Sequence, residues 1–237
     1  MYQVVKDLAF VGKGAYHTPT KTLIIGDTHI GQESALQAEG VLVPRLSFED
    51  LKKDTQEILD NISPNKIILN GDVKHNFGKI SREEWDKTFK YISFLQNHAE
   101  VTIMKGNHDV LVEPLVEKCG VEVNPYTEIH SYFICHGDTI PEEVTQKNVI
   151  IGHEHPAVSI RSGNRSERYK CFLQMKYKDK NLFVLPSMNT LNEGSDVLSE
   201  KTLSPFISYK EREKARVYIV SKEGTLSFGT VEELQNL

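Results

Sequence analysis

Asp27 and His29 stand two residues apart in "LIIGDTHIG" (Leu23 to Gly31), directly after a run of apolar residues. A carboxylate and an imidazole at that spacing can grip one cation, because alternate residues of an extended segment project to the same side. His153 and His155 in "GHEHP" repeat the spacing, and Glu154 between them reads as structural or solvent-facing. Three further glycines have a metal-type side chain beside them: Asp72 in "NGDVKH", Asn107 in "KGNHD" and His136 in "CHGD". Alone, each is ordinary, since Asp and Asn at strand ends are usually turn formers. Together they make seven oxygen and imidazole donors with no thiolate, a set that suits Mn²⁺, Fe or Zn²⁺ better than soft metals. One mononuclear site needs fewer ligands, whereas two cations sharing a bridging carboxylate need about this many. Two metals roughly 3.5–4 Å apart are the usual arrangement for in-line displacement at phosphorus.

The elements that must position these residues are short apolar runs bounded by turn signals: "KTLIIGD", "NKIILNGD", "EVTIMKGN", "YFICHGD", "NVIIGHEH", "NLFVLPS" and "RVYIVSKEG". Their continuous apolar character predicts strands covered on both faces. Between the first two, "SFEDLKKDTQEILDNI" predicts a helix with Ser47 and Asp50 as a capping box and Leu51, Ile58, Leu59 and Ile62 on one face. "SREEWDKTFKYISFLQ" predicts a second helix, capped by Ser81 and Glu84, with Trp85, Phe89 and Ile92 as its core stripe. Strand and helix alternating in this way is the βαβ pattern of an α/β fold. From Ala157 onward the chain becomes strand-rich, and "AVSIRSGNRSERYKCFLQMKY" predicts a hairpin. In open α/β sheets ligands bind outside the carboxyl ends of strands, so five strand ends would deliver Asp, Asn and His to one rim. His130 and His136 cannot share that rim, because six residues of strand separate them by about 20 Å. His136 is the candidate ligand and His130 is peripheral. His17 and His98, placed in a loop and near a helix end, have no assigned role.

The totals bound the rest. The chain has 237 residues, 39% hydrophobic and 26% charged, which suits one large domain spanning 1–237. A formal net charge of -5 excludes a global basic footprint for nucleic acid but leaves room for a locally basic groove. Three scattered cysteines read as reduced thiols in a cytoplasmic protein. No run is long and apolar enough for a signal peptide or a membrane span.

The ordered string "GDTHIG … GDVKH … GNHD … H … GHEHP" resembles the signature of the calcineurin-like metallophosphoesterases. The resemblance runs from Gly26 to Pro156. It implies a four-layer α/β sandwich, two mixed β-sheets flanked by helices. It also implies that Asp27, His29 and His155 hold one metal and Asn107, His136 and His153 the other, with Asp72 bridging. The attacking group would then be a metal-bridging hydroxide, with Mn²⁺ the leading candidate for both ions. His108 matches the family's transition-state stabiliser and general acid, and Asp109 would orient its imidazole. "GDVKH" is similar to the form found in SbcD/Mre-type DNA nucleases, where the position of His75 sits by the scissile phosphate. With "GVLVPR" (Gly40 to Arg45) and "LPSMNTLNEGSDV" (Leu185 to Val197), the pattern resembles small archaeal SbcD-related phosphoesterases and bacterial ligase-associated relatives.

These resemblances imply a DNA phosphodiesterase, an endonuclease on single strands or flaps rather than a processive resecting enzyme. The chain ends where the large nucleases continue into a DNA-clamping domain. Arg161, Arg165 and Arg168 in the basic hairpin could guide a phosphate backbone, although composition alone describes a solvated hairpin. A helicase or ligase partner is a corollary of the resemblance, and a homodimer is compatible with it. Two other readings stand beside this one. A small cyclic or linear nucleotide diester as substrate suits the acidity of the chain. A non-catalytic scaffold of the same fold would require lost ligands, and the set is intact.

Overall fold

A computed structural model of the chain describes residues 1–43, 46–78, 80–163 and 165–236. The end of "GVLVPR" and one residue of the basic hairpin's turn lie outside the described residues. Three short strands come first: β1 (Tyr2–Val5), β2 (Leu8–Val11) and β3 (Gly14–His17). The predicted alternation follows: β4 (Thr22–Gly26), α1 (Gln32–Ala38), α2 (Ser47–Leu59), β5 (Lys66–Asn70), α3 (Arg82–Gln96), β6 (Glu100–Met104), α4 (Glu113–Val116) and β7 (Glu122–Asn124). The second half is strand-rich: β8 (Tyr126–Ile129), β9 (Tyr132–Cys135), β10 (Asn148–Ile151), β11 (Pro156–Ser162), β12 (Arg165–Tyr177), β13 (Lys180–Val184) and β14 (Ser195–Asp196). It closes with α5 (Tyr209–Glu213), β15 (Arg216–Ser221), β16 (Gly224–Thr230) and α6 (Val231–Gln235).

β1 to β7 form one seven-stranded sheet in chain order, antiparallel through β4 and parallel from β4 to β7. The other nine strands form a second mixed sheet in which β10 runs parallel to both β9 and β13. All seven apolar runs are strands, and side-chain alternation explains why they are apolar throughout. In β4, Leu23 and Ile25 face the helices with Phe48, Leu51 and Tyr91, while Ile24 faces the other sheet. In β10, Ile150 meets the same inter-sheet core, while Val149 and Ile151 pack outward with Phe206, Ala215 and Val231. The two sheets therefore stack face to face between helical layers. Phe10 of one lies on Phe172 of the other with ring centroids 3.8 Å apart.

Several local expectations need correction. β1 to β3 carried no predicted element, and His17 ends a strand, buried, rather than lying in a loop. α2 has no side-chain cap, because Ser47 Oγ donates to the Glu33 carboxylate instead. Ser81 does cap α3, accepting the Glu84 N–H at 3.0 Å. Glu84 does not reach back, because its carboxylate is buried against the residues after Asp72. Ile92 is buried and Trp85 packs at the edge of the core, but Phe89 is exposed. At 100° per residue Phe89 lies about 110° round from the centre of the buried stripe of Thr88, Tyr91, Ile92 and Leu95. Among the described residues no helix is long and apolar enough to cross a membrane.

Candidate metal centre

The expected strand ends do converge, but not by strand alternation. Asp27, His29, Asp72, His153 and His155 all have left-handed backbones, with φ between 39° and 60°. They are five of the eight non-glycine residues with positive φ among those described. Asp and His tolerate this region better than most residues, and such strain gathers at functional sites. Three of the five ligand-bearing segments, those of Asp27 and His29, of Asp72, and of His153 and His155, thus turn in a way that re-aims their side chains. His153 and His155, despite their spacing, therefore join different groups.

Asp27, His29 and His155 present donor atoms that all lie within 4.8 Å of one another. His29 Nε2 faces His155 Nε2 at 3.3 Å, and His155 Nε2 lies 3.1 Å from Asp27 Oδ1. Asp72, His136 and His153 form a second group of the same tightness. There His136 Nε2 meets Asp72 Oδ2 at 3.3 Å, His153 Nδ1 at 3.2 Å and Asn107 Oδ1 at 3.1 Å. Asp72 Oδ2 is also 3.7 Å from His29 Nε2, so one carboxylate oxygen stands between the two groups. Ring nitrogens aimed at each other, with buried carboxylates beside them, fit cations as common partners. His136 Nδ1 meets the Asn70 carbonyl at 3.1 Å. A carbonyl only accepts, so Nδ1 carries a proton, and Nε2 is the nitrogen left to face a cation at the cluster.

Backbone packing makes the approach close. A Cβ on Gly106 would stand 2.2 Å from Asp72 Oδ1, and one on Gly152 would stand 2.4 Å from Asp27 Oδ2. The carboxylates are held by neighbouring motifs. Asp27 accepts the His153 N–H at 3.1 Å, and Asp72 Oδ1 accepts the His108 N–H at 2.9 Å. Burial works against the charged form of His136, but the hydrogen bond to Asp72 and the charges of Asp27 and Asp72 outweigh it and raise its pKa to about 10. Burial and the neighbouring His155 push His29 down to about 3. Burial raises a carboxyl's pKa, yet His136 and His29 hold Asp72 well below the usual range.

His29, His75 and His108 make a third close group beside these two. His108 Nδ1 donates to the His75 carbonyl, which leaves Nε2 on the side of Asp72 Oδ2, 3.9 Å away. The Phe77 ring covers the imidazole with centroids 3.7 Å apart. Asp109 does not orient this imidazole as expected, because backbone amides take up its carboxylate. Asp109 is fully buried and accepts from the backbone N–H of Val73 at 3.0 Å, Gly106 at 3.1 Å and Lys74 at 3.4 Å. It pins the "GDVKH" turn to the "GNHD" turn, and the His75 carbonyl orients His108. Burial, then the nearby Asp72, raises Asp109 to about 6. Glu84 holds the other side of the turn, accepting from His75 N at 3.0 Å and Asn76 N at 2.9 Å.

Sequence reasoning left the role of "PSMNTLNEGSDV" open, and the structure makes it the brace of the first group. Ser187 Oγ donates to the Asp27 carbonyl at 2.7 Å, and Asn189 Nδ2 to the Thr28 carbonyl at 3.1 Å. The Asn192 amide nitrogen lies 2.7 Å from His155 Nδ1. Lys170 Nζ binds the carbonyls of Ser187, at 2.8 Å, and Asn189. The only advance signal was the density of short amide and hydroxyl side chains. Glu154 is structural but buried, accepting from Leu203 N and Ser204 N at 2.8 and 2.9 Å. His130 lies at the far end of β9 against His17, as its separation requires. Arg161 and Arg165 are exposed near the hairpin tip. Arg168 is engaged by the Gly194 carbonyl at 2.9 Å and by Glu200 at 3.1 Å.

In fold the chain is similar to the Pseudomonas putida nuclease MPE, at TM-score 0.69 and 16% identity over 96% of this chain and 98% of that one. Yfce, a phosphoesterase from E. coli, gives TM-score 0.39 at 12% identity, covering 90% and 94% of the two chains. Wild-type Vps29 from Entamoeba histolytica, complexed with Zn²⁺, gives 0.33 at 13% identity, covering 87% and 96%. A search of curated protein sequences finds no match. The family model for calcineurin-like phosphoesterase matches residues 20–220, a span that contains every donor described above. With that match over a site whose clustered His and Asp donors could hold metal, the chain belongs to the calcineurin-like phosphoesterases and is a metal-dependent phosphoesterase.

Proposed function

We propose that the protein is a two-metal phosphodiesterase that cuts DNA internally, on single strands or flaps. The observation that carries this is Asp72 Oδ2, set between the His29 group and the His136 group. Asp27, His29 and His155 would hold one divalent cation. Asn107, His136 and His153 would hold the other, with Mn²⁺ the leading candidate and Fe or Zn²⁺ also suited to the donors. The ions would supply charge to the phosphoryl oxygens and lower the pKa of a water to generate the nucleophile. His108, with its Nδ1 proton committed to the His75 carbonyl, would stabilise the developing charge and deliver a proton from Nε2 to the leaving oxygen. His75 lies in the same group and would contact the phosphate. Asp109 would act by joining the two turns that carry these histidines. Arg161 and Arg165 would steer more distant phosphates, and Arg168 would stiffen the hairpin. The Pseudomonas putida protein sharing this fold is a nuclease, which supports a nucleic-acid substrate.

A second reading, hydrolysis of small nucleotide diesters, is favoured by the net charge of -5. The test is metal-stripped protein reloaded with each divalent ion and assayed on single-stranded, duplex and flap DNA. Single-stranded DNA is expected to compete with a chromogenic diester for turnover. Diester turnover untouched by saturating DNA would leave the small-nucleotide reading in its place.

A further inference from the structure

A cavity of about 460 Å³ opens directly beside the second donor group, and Asn107 and His136 form part of its wall. The rest of the wall differs in chemistry. Val110 and Tyr126 are 54% and 45% exposed, and Pro125 and Pro141 extend the same apolar surface. Tyr126 is braced from behind, its ring stacked on buried Phe133 with centroids 4.8 Å apart and planes 23° from parallel. One aromatic face is thus spent on the protein while nearly half of the residue stays open. Asp138 and Thr139 put polar groups on the rim of the cavity. The volume falls within the range of sites that take small organic groups, apolar walls with a few placed polar atoms.

We infer that this cavity receives a nucleobase, that of one of the two nucleosides joined to the scissile phosphate, with Tyr126 as its stacking surface. The inference rests on the nucleic-acid reading above. A phosphodiester bound to a cation at Asn107, His136 and His153 can project one of its ester groups toward this wall. An exposed, backed aromatic face beside polar groups matches a flat heterocycle with hydrogen-bonding edges. Lys105 also lines the cavity, but its charge is paired with Glu113, so with Asp138 beside it the wall is a poor seat for a second phosphate. A base can enter only when it is out of a helical stack, so the cavity selects unpaired nucleotides.

The experiment uses the full chain loaded with Mn²⁺ and a short deoxyoligonucleotide whose linkages are blocked as methylphosphonates except one. Two analogues lack the base on either side of that single phosphodiester. For the unaltered protein, removal of one of the two bases is expected to lower kcat/KM by roughly 5- to 150-fold, the range of base–aromatic stacking. In Tyr126→Ala the same removal is expected to cost under about twofold, and Tyr126→Phe should restore the dependence on the base. Tyr126→Phe keeps the stack on Phe133, so it also guards against an alanine variant that fails to fold. The assignment is overturned if Tyr126→Ala loses equally on all three substrates, or if neither base matters to the unaltered protein. If the unaltered protein cuts bis(p-nitrophenyl) phosphate but no oligonucleotide, the nucleic-acid reading falls and this inference falls with it. Cleavage without base dependence removes the cavity assignment alone.

Discussion

Gly106→Ala tests the metal centre without replacing a single proposed ligand. Gly106 has a backbone conformation open to any L-residue, so alanine adds no conformational strain. What it adds is a methyl carbon 2.2 Å from Asp72 Oδ1 and 2.4 Å from the Asp72 backbone nitrogen. Ordinary contact begins near 3.4 Å, so the carboxylate oxygen or the turn that carries it must retreat by roughly 1 Å. That oxygen also accepts the His108 N–H at 2.9 Å, so the retreat strains the bond joining the two motifs. Misplacement of about 1 Å can cost on the order of 10²-fold in rate. Loss of support around a ligand typically costs about 10- to 100-fold in metal affinity. Isothermal titration of metal-stripped protein with Mn²⁺ would read the affinity, and turnover of a chromogenic diester would read the rate. Both should fall while the circular dichroism spectrum stays unchanged. A folded Gly106→Ala protein with unaltered Mn²⁺ affinity and turnover would refute the placement of Asp72 between two cations.

Two further outcomes follow from the braces around the site. Asn192→Ala should weaken the binding of one of two Mn²⁺ ions by about 10- to 100-fold, because His155 Nδ1 loses its amide neighbour; titration showing both ions bound as tightly as before would contradict this. Lys170 gives a pH signature: burial, then the charge of Lys13, holds its pKa at about 7, below the ordinary lysine value of 10.5. Between those values the unfolded chain holds a proton that the folded chain has released, so this group makes stability rise with pH through that window. Urea titrations of metal-free Lys170→Met from pH 7 to about pH 10 should show a flatter rise than the unaltered protein, by at most about 1.4 kcal/mol per pH unit. Parallel stability curves would place the proton elsewhere.

The strands and the ligand residues were legible for one reason: both leave local patterns. Buried parallel strands such as β4, β5 and β10 are continuous apolar runs, and each ends in or runs directly into a glycine beside a donor. The β1–β3 meander escaped because its strands are four residues long and its turns, Lys6–Asp7 and Gly12–Lys13, interrupt any periodicity. Roles set by distant contacts left no local pattern. Ser187 reaches Asp27 across 160 residues, and Asn192 reaches His155 across 37. Asp109 sits beside His108 in sequence, which made a side-chain pair the natural expectation. The tight turn aims its carboxylate at the amides of Val73 and Gly106 instead. Glu84 was misjudged for a similar reason, its capping spacing concealing a buried carboxylate that holds the His75 turn.

The acids of the site form a mutual scaffold, and this bears on how the centre should be probed. Asp27 is held by an amide of the "GHEHP" turn, Asp72 by an amide of the "GNHD" turn, and Asp109 by amides of both the "GDVKH" and "GNHD" turns. In each case a carboxylate from one motif satisfies at least one N–H of another, a group that would otherwise lose its protein partner. Charge and architecture are therefore carried by the same atoms. Removing Asp27 or Asp72 takes away a metal donor and also unpairs a backbone group, so lost activity in such a variant has two physical causes at once. The left-handed backbones of Asp27, Asp72 and His153 belong to the same arrangement, since only tight turns bring the donor atoms of one motif within reach of the amides of the next. The glycines facing these acids, Gly106 and Gly152, supply no donor of their own to the metals and leave the room in which the carboxylates sit. Substitution there separates the position of the charge from its presence, which substitution of the acids cannot do.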